Sequence, residues 1–171
     1  MWFISDTHFG HSNFLNFKDD SGKQIRPFSS VEEMDEHMVE QWNKTIMPGD
    51  KVYHLGDVCF GDPSILNRLN GSKRLIVGNH DNLKDHRLLA AFKKVSLWRL
   101  FRDFDFYVTH VPMREDTFHE KMRFNLHGHI HEKDSPTQFH MNMSVEKINY
   151  TPVHIDEIVK LLKVRKEGLN V

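Results

Sequence analysis

The chain has 171 residues, of which 39% are hydrophobic and 27% are charged, and its formal net charge is -1. These totals predict a single globular domain over residues 1–171, exclude a disordered chain, and give no support for binding to long nucleic acid or to an acidic membrane. One cysteine excludes an intrachain disulfide, and an N-terminus without a signal-peptide pattern predicts a cytoplasmic protein with no membrane association.

The first half of the chain alternates short apolar runs with helical patterns. The runs MWFIS, KVYHLGD and KRLIVG predict strands. Residues 29–46 predict a helix, because Ser29 or Ser30 can cap it and its apolar residues recur on one face. Residues 62–70 predict a shorter helix that begins with a proline in its first turn. This β-α-β-α-β order favours parallel strands joined by right-handed crossovers.

The second half contains more strand patterns. Residues 80–95 predict a helix, and the runs LWRLF and FDFYVTH that follow predict a hairpin. RFNLHGHIH and FHMNMSVEKIN predict two further strands, and residues 156–167 predict an amphipathic C-terminal helix. The density of strands in this half favours antiparallel pairing, so the whole chain is predicted to be an α/β domain with mixed sheet pairing.

Side chains that can bind metal lie where the predicted strands end. Ligand sites in open α/β sheets collect outside the carboxyl ends of strands, and residues two apart on an extended segment share a face. The set comprises Asp6, His8, Asp57, Asn79, His110, His129 and His131. It is too large for one tetrahedral zinc ion. It suits two divalent transition-metal ions that share a carboxylate, with Mn favoured and Fe, Zn, Ni or Co as alternatives.

Five segments in order, SDTHFGH, HLGD, VGNHD, VTHVP and HGHIH, resemble the motifs of the calcineurin-like metallophosphoesterases. Each motif alone is weak, but five in the family's order, each at a predicted strand end, are specific. They span nearly the whole chain, from Asp6 to His131. The resemblance implies a four-layer αββα sandwich of two mixed β-sheets, the metallo-dependent phosphatase-like fold, and a two-metal site that hydrolyses phosphate esters.

The resemblance also implies a role for each matching residue. The first ion would be bound by Asp6, His8 and His131, and the second by Asn79, His110 and His129. Asp57 would bridge both ions. His80 would assist the leaving group, with Asp81 as the acid that orients it. The extra histidine of HGHIH, His127, is predicted to be structural, because the ligand set is complete without it.

Three further residues are candidates for contacting the substrate. Arg114 and the less favoured Arg26 carry guanidinium groups that can bind phosphate oxygens. His11 lies three residues after His8 and either lines the mouth of the site or belongs to an ordinary loop.

The predicted chemistry is hydrolysis of a phosphate ester. Two cations would neutralise the charge of the ester, a hydroxide bridging them would attack phosphorus, and His80 would protonate the leaving group. The small chain favours a phosphodiesterase acting on a small molecule or nucleotide, with a phosphomonoesterase as the alternative. A non-catalytic metal-binding scaffold is the alternative from another class. A metal-dependent amide hydrolase is disfavoured, because the chain has D-x-H on its first strand and no H-E-x-x-H.

Overall fold

The computed structural model describes residues 1–119 and 122–168, and their strands form two mixed β-sheets. The strands are β1 (Trp2–Ile4), β2 (Lys51–His54), β3 (Ser72–Ile76), β4 (Lys94–Ser96), β5 (Trp98–Phe101), β6 (Phe106–Thr109), β7 (Phe124–His127), β8 (His140–Asn142) and β9 (Val153–His154). The α-helices are α1 (Val31–Thr45), α2 (His86–Ala90) and α3 (Ile155–Gly168). Short 3₁₀ helices cover Ser12–Asn16, Pro63–Arg68, Arg102–Phe104 and Glu115–Thr117. None of the helices in these ranges is long and apolar enough to cross a membrane.

The first sheet has the strand order β4-β3-β2-β1-β9. Its four neighbouring strands β4 to β1 are parallel, and β9 pairs antiparallel with β1 at one edge. The parallel pairing predicted from the β-α-β pattern is therefore confirmed. Because the strands run the same way, the residues after β1, β2 and β3 emerge at the same end of the sheet.

The second sheet has the order β5-β6-β7-β8. Strands β5 and β6 form the predicted antiparallel hairpin, but β6, β7 and β8 are parallel to one another. The expectation of antiparallel pairing was wrong for these three strands. The long connections that separate them return the chain to the same end of the sheet, as parallel pairing requires.

The predicted helix over residues 29–46 is confirmed as α1. The Ser30 hydroxyl accepts a hydrogen bond from the Glu33 backbone N–H, and the Glu33 carboxylate accepts one from the Ser29 N–H. This reciprocal capping satisfies two N–H groups at the start of the helix. Further along α1, Met38 and Trp42 are buried against the first sheet.

The predicted helix over residues 80–95 was mostly wrong. Only α2 is helical, with the Asp85 carboxylate accepting a hydrogen bond from the Arg87 N–H at its start. Residues 94–96 instead form β4, which pairs with Arg74–Ile76 of β3. The open edge of β3 decides this conformation, because backbone pairing there outweighs a local helical pattern.

Two apolar layers hold the domain together. Successive residues of β1 and β2 point to opposite faces, so Ile4 and Val52 pack under α1 while Phe3 and Tyr53 pack between the sheets. Helix α3 adds Ile158 and Leu162 to the layer between the sheets.

Loops cover the outer face of the second sheet. The Met113 N–H donates to Asn125 Oδ1, the His119 N–H donates to the Tyr107 hydroxyl, and the Ser135 hydroxyl contacts the His127 ring. In the ranges described, loops thus occupy the place where a four-layer sandwich would have its second helical layer. The domain is an α/β fold of two mixed sheets.

Candidate metal centre

The structure brings all seven predicted ligands together where strands of both sheets end. Two groups of three have ligand atoms within 4.8 Å of one another: Asp6, His8 and His131, and Asp57, His110 and His129. Asn79 Oδ1 lies 2.8 Å from His110 Nε2 and so belongs beside the second group. We call these sets the first group and the second group. The resemblance implies the same two sets of ligands, except that it assigns Asp57 to both ions, whereas the distances place Asp57 in the second group.

The carboxylate of the first group, Asp6, is fully buried and held in place by hydrogen bonds. It accepts bonds from the His129 N–H at 3.0 and 3.1 Å and from the Ser144 hydroxyl at 2.9 Å. Burial alone would raise the pKa of Asp6, but the neighbouring His8, His131 and His110 rings hold it well below its usual range. The group is therefore a fixed anion at neutral pH.

The His8 ring is 2% exposed, and neither of its ring nitrogens has a hydrogen-bond partner. Its Nε2 lies 3.8 Å from Asp6 Oδ1 and 3.6 Å from Asp57 Oδ2. Burial lowers the pKa of His8 to about 4, so the ring is neutral near pH 7 and keeps a free lone pair. A buried imidazole without partners between two carboxylates has the protonation state and the surroundings of a metal ligand.

A buried ion pair supports the third member of the first group. Glu146 Oε1 accepts hydrogen bonds from Arg26 at 2.7 and 2.8 Å and lies 3.3 Å from His131 Nδ1. Burial lowers the pKa of His131, but the contact with Glu146 outweighs it, and the net pKa is raised. A proton on Nδ1 leaves Nε2 as the nitrogen able to bind metal, which is the arrangement that orients metal-binding histidines in proteins.

The second group is arranged around His110. Its Nδ1 donates to the Leu55 carbonyl at 2.8 Å, and its Nε2 faces Asn79 Oδ1 and, at 3.4 Å, Asp57 Oδ2. Burial lowers the pKa of His110, but the contact with Asp57 outweighs it and the net pKa is raised. A proton on Nε2 would thus lie between Nε2 itself, Asn79 Oδ1 and Asp57 Oδ2. All three atoms can bind a metal, so a divalent cation could take the place of the proton.

Asp57 lies between the two groups. Its Oδ2 is 3.6 Å from His8 Nε2 and 3.4 Å from His110 Nε2, and its Oδ1 accepts a hydrogen bond from the His80 N–H at 2.9 Å. Burial would raise the pKa of Asp57, and His110 outweighs it, so the pKa is lowered. The donor set of carboxylates, imidazoles and one amide fits two divalent transition-metal ions with a shared carboxylate.

The backbone is strained at most of the predicted ligands. Five of the seven have a positive φ: Asp6 at 58°, His8 at 49°, Asp57 at 56°, His129 at 72° and His131 at 51°. This region is uncommon for non-glycine residues, and such strain clusters at functional sites. Gly56 permits the close packing, since a Cβ there would lie 2.6 Å from His110 Nδ1 and from the Gly78 backbone.

The predicted catalytic histidine, His80, is exposed at a cleft of 830 Å³ beside the first group. This cleft is lined by His8, His11, Phe60, His80 and His131 among others, and we call it the histidine cleft. The His80 ring centroid lies 6.0 Å from that of His8 and 5.0 Å from that of Phe60. His80 is thus placed where it can contact a ligand bound over the centre.

The prediction that Asp81 orients His80 requires correction. The Asp81 carboxylate accepts hydrogen bonds from the backbone N–H groups of Asp57, Val58 and Gly78, and none of its described bonds goes to the His80 ring. Burial raises the pKa of Asp81. Its role in this structure is to hold the backbone that carries Asp57.

The substrate-contact predictions have mixed outcomes. His11 does line the histidine cleft. Arg26 was wrongly assigned, because its side chain is fully buried and its guanidinium binds Glu146 and the carbonyl oxygens of Asp6 and Thr7. Arg114 also needs correction, since it is exposed, pairs with Asp116 and lines a separate surface depression.

Sequence reasoning missed two supporting residues, Glu146 and Ser144. They contact ligands more than ten residues away along the chain, and no local pattern marks them. The structural role predicted for His127 is in keeping with its position: the ring is buried and contacts the Gly128 carbonyl and the Ser135 hydroxyl.

Comparison with known proteins gives relatives but no activity. No protein-family model matches the chain. The chain is 32% identical to the uncharacterized protein MJ1445 of Methanocaldococcus jannaschii over 182 residues, covering 97% of this chain and 93% of that protein. It is 26% identical to the Gene 66 protein of Mycobacterium phage D29 over 209 residues, covering 99% of this chain and 98% of that protein.

A solved structure shares the fold. The crystal structure of a protein of unknown function, AQ665 from Aquifex aeolicus, matches with a TM-score of 0.75 and 25% identity, covering 94% of this chain and 98% of that one. The similarity to MJ1445 extends over almost the full length of both sequences. The chain therefore belongs to the same protein family as the uncharacterized protein MJ1445 of Methanocaldococcus jannaschii.

Proposed function

We propose that the protein is a metal-dependent phosphoesterase of the calcineurin-like kind, with the metallo-dependent phosphatase-like fold. One observation carries the proposal: a single carboxylate oxygen, Asp57 Oδ2, lies within 3.6 Å of one imidazole nitrogen from each group, His8 Nε2 and His110 Nε2. A carboxylate shared in this way is what a pair of adjacent cations requires. Bound there, two divalent ions, Mn favoured, would activate water and neutralise the charge of a phosphate ester.

The chain's own residues then have defined tasks. Asp57 holds the two groups in one frame, and Asp81 fixes the backbone on which Asp57 sits. His8 supplies a neutral lone pair because its pKa is about 4. The exposed imidazole of His80 can give a proton to the oxygen of the leaving group, which a general acid must do for an alkoxide.

A phosphodiester is favoured over a monoester because open space flanks the centre on two sides. The histidine cleft adjoins the first group. A second pocket of 550 Å³ adjoins the second group and is lined by Asn79, Trp98, Tyr107, His110 and Val111 among others. We call it the tryptophan pocket. A diester carries two substituents on its phosphate, and each space can receive one of them.

Metal content and turnover measured on the same samples test the proposal. We expect the purified protein, stripped with EDTA and reloaded with Mn²⁺, to hold two ions per chain and to hydrolyse bis-p-nitrophenyl phosphate faster than p-nitrophenyl phosphate. Asp57→Asn should lose bound metal, and His80→Ala should keep it while turnover falls by about 10²–10⁴-fold, the usual range for a general acid.

Matched controls are available on the surface. Asp134→Asn, at a side chain that is 97% exposed, is the control for Asp57→Asn. His86→Ala, at an exposed histidine, is the control for His80→Ala. Both should behave like the wild type. If the protein binds two ions but hydrolyses neither ester, it is a metal-binding scaffold and not a phosphoesterase. If His80→Ala loses metal, His80 is a metal ligand and not only a general acid.

A further inference from the structure

Three of the aromatic rings that line the histidine cleft beside the first group have no task in the chemistry above. His11 and Phe60 are stacked with their ring centroids 4.1 Å apart and their planes 12° apart. Phe17 meets the His11 ring edge to face at 5.9 Å. We call His11, Phe17 and Phe60 the aromatic wall. Phe17 and Phe60 are each 44% exposed.

The aromatic wall adjoins the place where a phosphate would bind. The Phe60 ring centroid is 5.1 Å from that of His8, a predicted ligand, and 5.0 Å from that of His80. The His8 and His11 rings are only 5.6 Å apart, so they do not lie on opposite faces of Phe60. Phe60 is partly exposed and lines the histidine cleft together with His8 and His80.

The charge and polarity of the cleft fit one type of ring. The stacked His11 and Phe60 rings present a flat aromatic surface at the cleft. Asn16, Lys18 and Asp20 line the same cleft and supply hydrogen-bond donors and acceptors. A flat ring with polar atoms on its edge can both stack on the aromatic rings and bond to these polar groups, whereas an alkyl group can only pack against the rings.

We infer that the aromatic wall is a stacking subsite for the nucleobase of a nucleotide ester, with Phe60 as its main specificity-determining residue. The inference rests on the proposed function, since it places the base of a nucleotide whose phosphate lies on the metal centre. It narrows the substrate class from phosphate esters in general to nucleotides. It also places the base in the histidine cleft and not in the tryptophan pocket.

Binding of two ligands that differ only in the base tests this inference without turnover. Isothermal titration calorimetry of the Mn²⁺-loaded protein would compare AMP with ribose 5-phosphate. We expect AMP to bind at least about fivefold more tightly, the lower end for a base stacked on an aromatic side chain. In Phe60→Leu the preference should fall below about twofold, and Phe17→Leu should reduce it in part.

Two other variants separate the possible locations of the base. Phe139→Leu, a half-buried aromatic that lines neither the histidine cleft nor the tryptophan pocket, should keep the wild-type preference. Trp98→Leu, in the tryptophan pocket, should keep it as well. Loss of the preference in Trp98→Leu with retention in Phe60→Leu would overturn the inference, because the base would then occupy the other pocket.

Equal affinity for the two ligands in the wild type, or no binding of AMP, would also overturn it. The proposed function is judged separately, by turnover of bis-p-nitrophenyl phosphate in the same samples. If the protein hydrolyses this diester but shows no preference for AMP, the proposed phosphoesterase activity stands and the proposed nucleobase subsite is refuted.

Discussion

The two ligand groups of the candidate metal centre are supported by different interactions. In the first group, His131 contacts the carboxylate of Glu146, which is paired in turn with the fully buried Arg26. In the second group, His110 donates to the Leu55 carbonyl and faces the neutral amide of Asn79. The first group therefore depends on buried charges that meet each other, and the second depends on backbone and amide dipoles.

This difference has energetic consequences. A buried ion pair contributes little as a whole, because desolvation offsets its attraction, but removal of one partner leaves an isolated charge in the interior. A hydrogen bond to a backbone carbonyl carries a smaller penalty when it is lost. The first group should therefore be the more sensitive to single substitutions, and each prediction below probes that asymmetry.

The largest effect is expected for Arg26→Met. The substitution leaves Glu146 charged and buried and removes the donor to the Asp6 and Thr7 carbonyls, so the free energy of unfolding should fall by about 3–5 kcal/mol. Urea unfolding in EDTA measures this without a contribution from metal. The control is Arg68→Met, which breaks the exposed pair with Glu36 and should leave the free energy of unfolding close to that of the wild type. Equal losses in the two variants would show that the buried pair has no special role.

The next effect concerns metal affinity. Glu146→Gln keeps the shape of the side chain but removes the charge that raises the pKa of His131. We expect the Kd of one Mn²⁺ ion to rise by about 10–100-fold, as for other residues that orient metal ligands, while the second ion is unaffected. A factor of ten in Kd corresponds to about 1.4 kcal/mol of binding free energy. The expected loss of metal-binding free energy is therefore smaller than the loss of unfolding free energy expected for Arg26→Met. Calorimetric titration measures both sites.

The exposed Glu36 provides the control as Glu36→Gln, which should bind both ions as the wild type does. Equal weakening of both sites by Glu146→Gln would show that Glu146 supports both groups and that the two groups do not differ in this respect.

The same contrast explains how much of the site could be predicted from the sequence. Asp6, His8 and Asp57 follow apolar runs that end at one edge of a sheet, so strand patterns and motif order were enough to bring them together. The capping of α1 was also local, with Ser30 three residues before Glu33. Features decided by nearby residues were therefore predictable.

Features decided by distant residues were not. Arg26 was taken for a substrate contact because its charge is visible in the sequence, whereas its partner Glu146 lies 120 residues away. Asp81 was assigned to His80 because the resemblance implies that role, but its carboxylate accepts hydrogen bonds from the backbone N–H groups of Asp57 and Val58. Strand β4 depends in the same way on the edge of β3. Burial and long-range pairing leave no local signal.

The smallest effect concerns Asp35, which supports the loop that follows His8 in the first group. Both oxygens of its carboxylate accept hydrogen bonds from the Gly10 N–H, at 3.0 and 3.1 Å. Burial raises the pKa of Asp35 to about 6. A carboxyl whose pKa is raised on folding stabilises the protein most below its unfolded pKa of about 4, and this stability is lost as the pH rises through 6.

Asp35→Asn removes that dependence, because an amide oxygen can still accept from Gly10 and carries no charge. We expect the variant to be more stable than the wild type at pH 7.5 by about 1 kcal/mol, a figure reduced for the partial exposure of the side chain, and the difference to vanish near pH 3.5, below the unfolded pKa. Urea unfolding at the two pH values in EDTA measures this, with the exposed Asp103→Asn as control. A difference that is the same at both pH values would show that Asp35 does not titrate in this range.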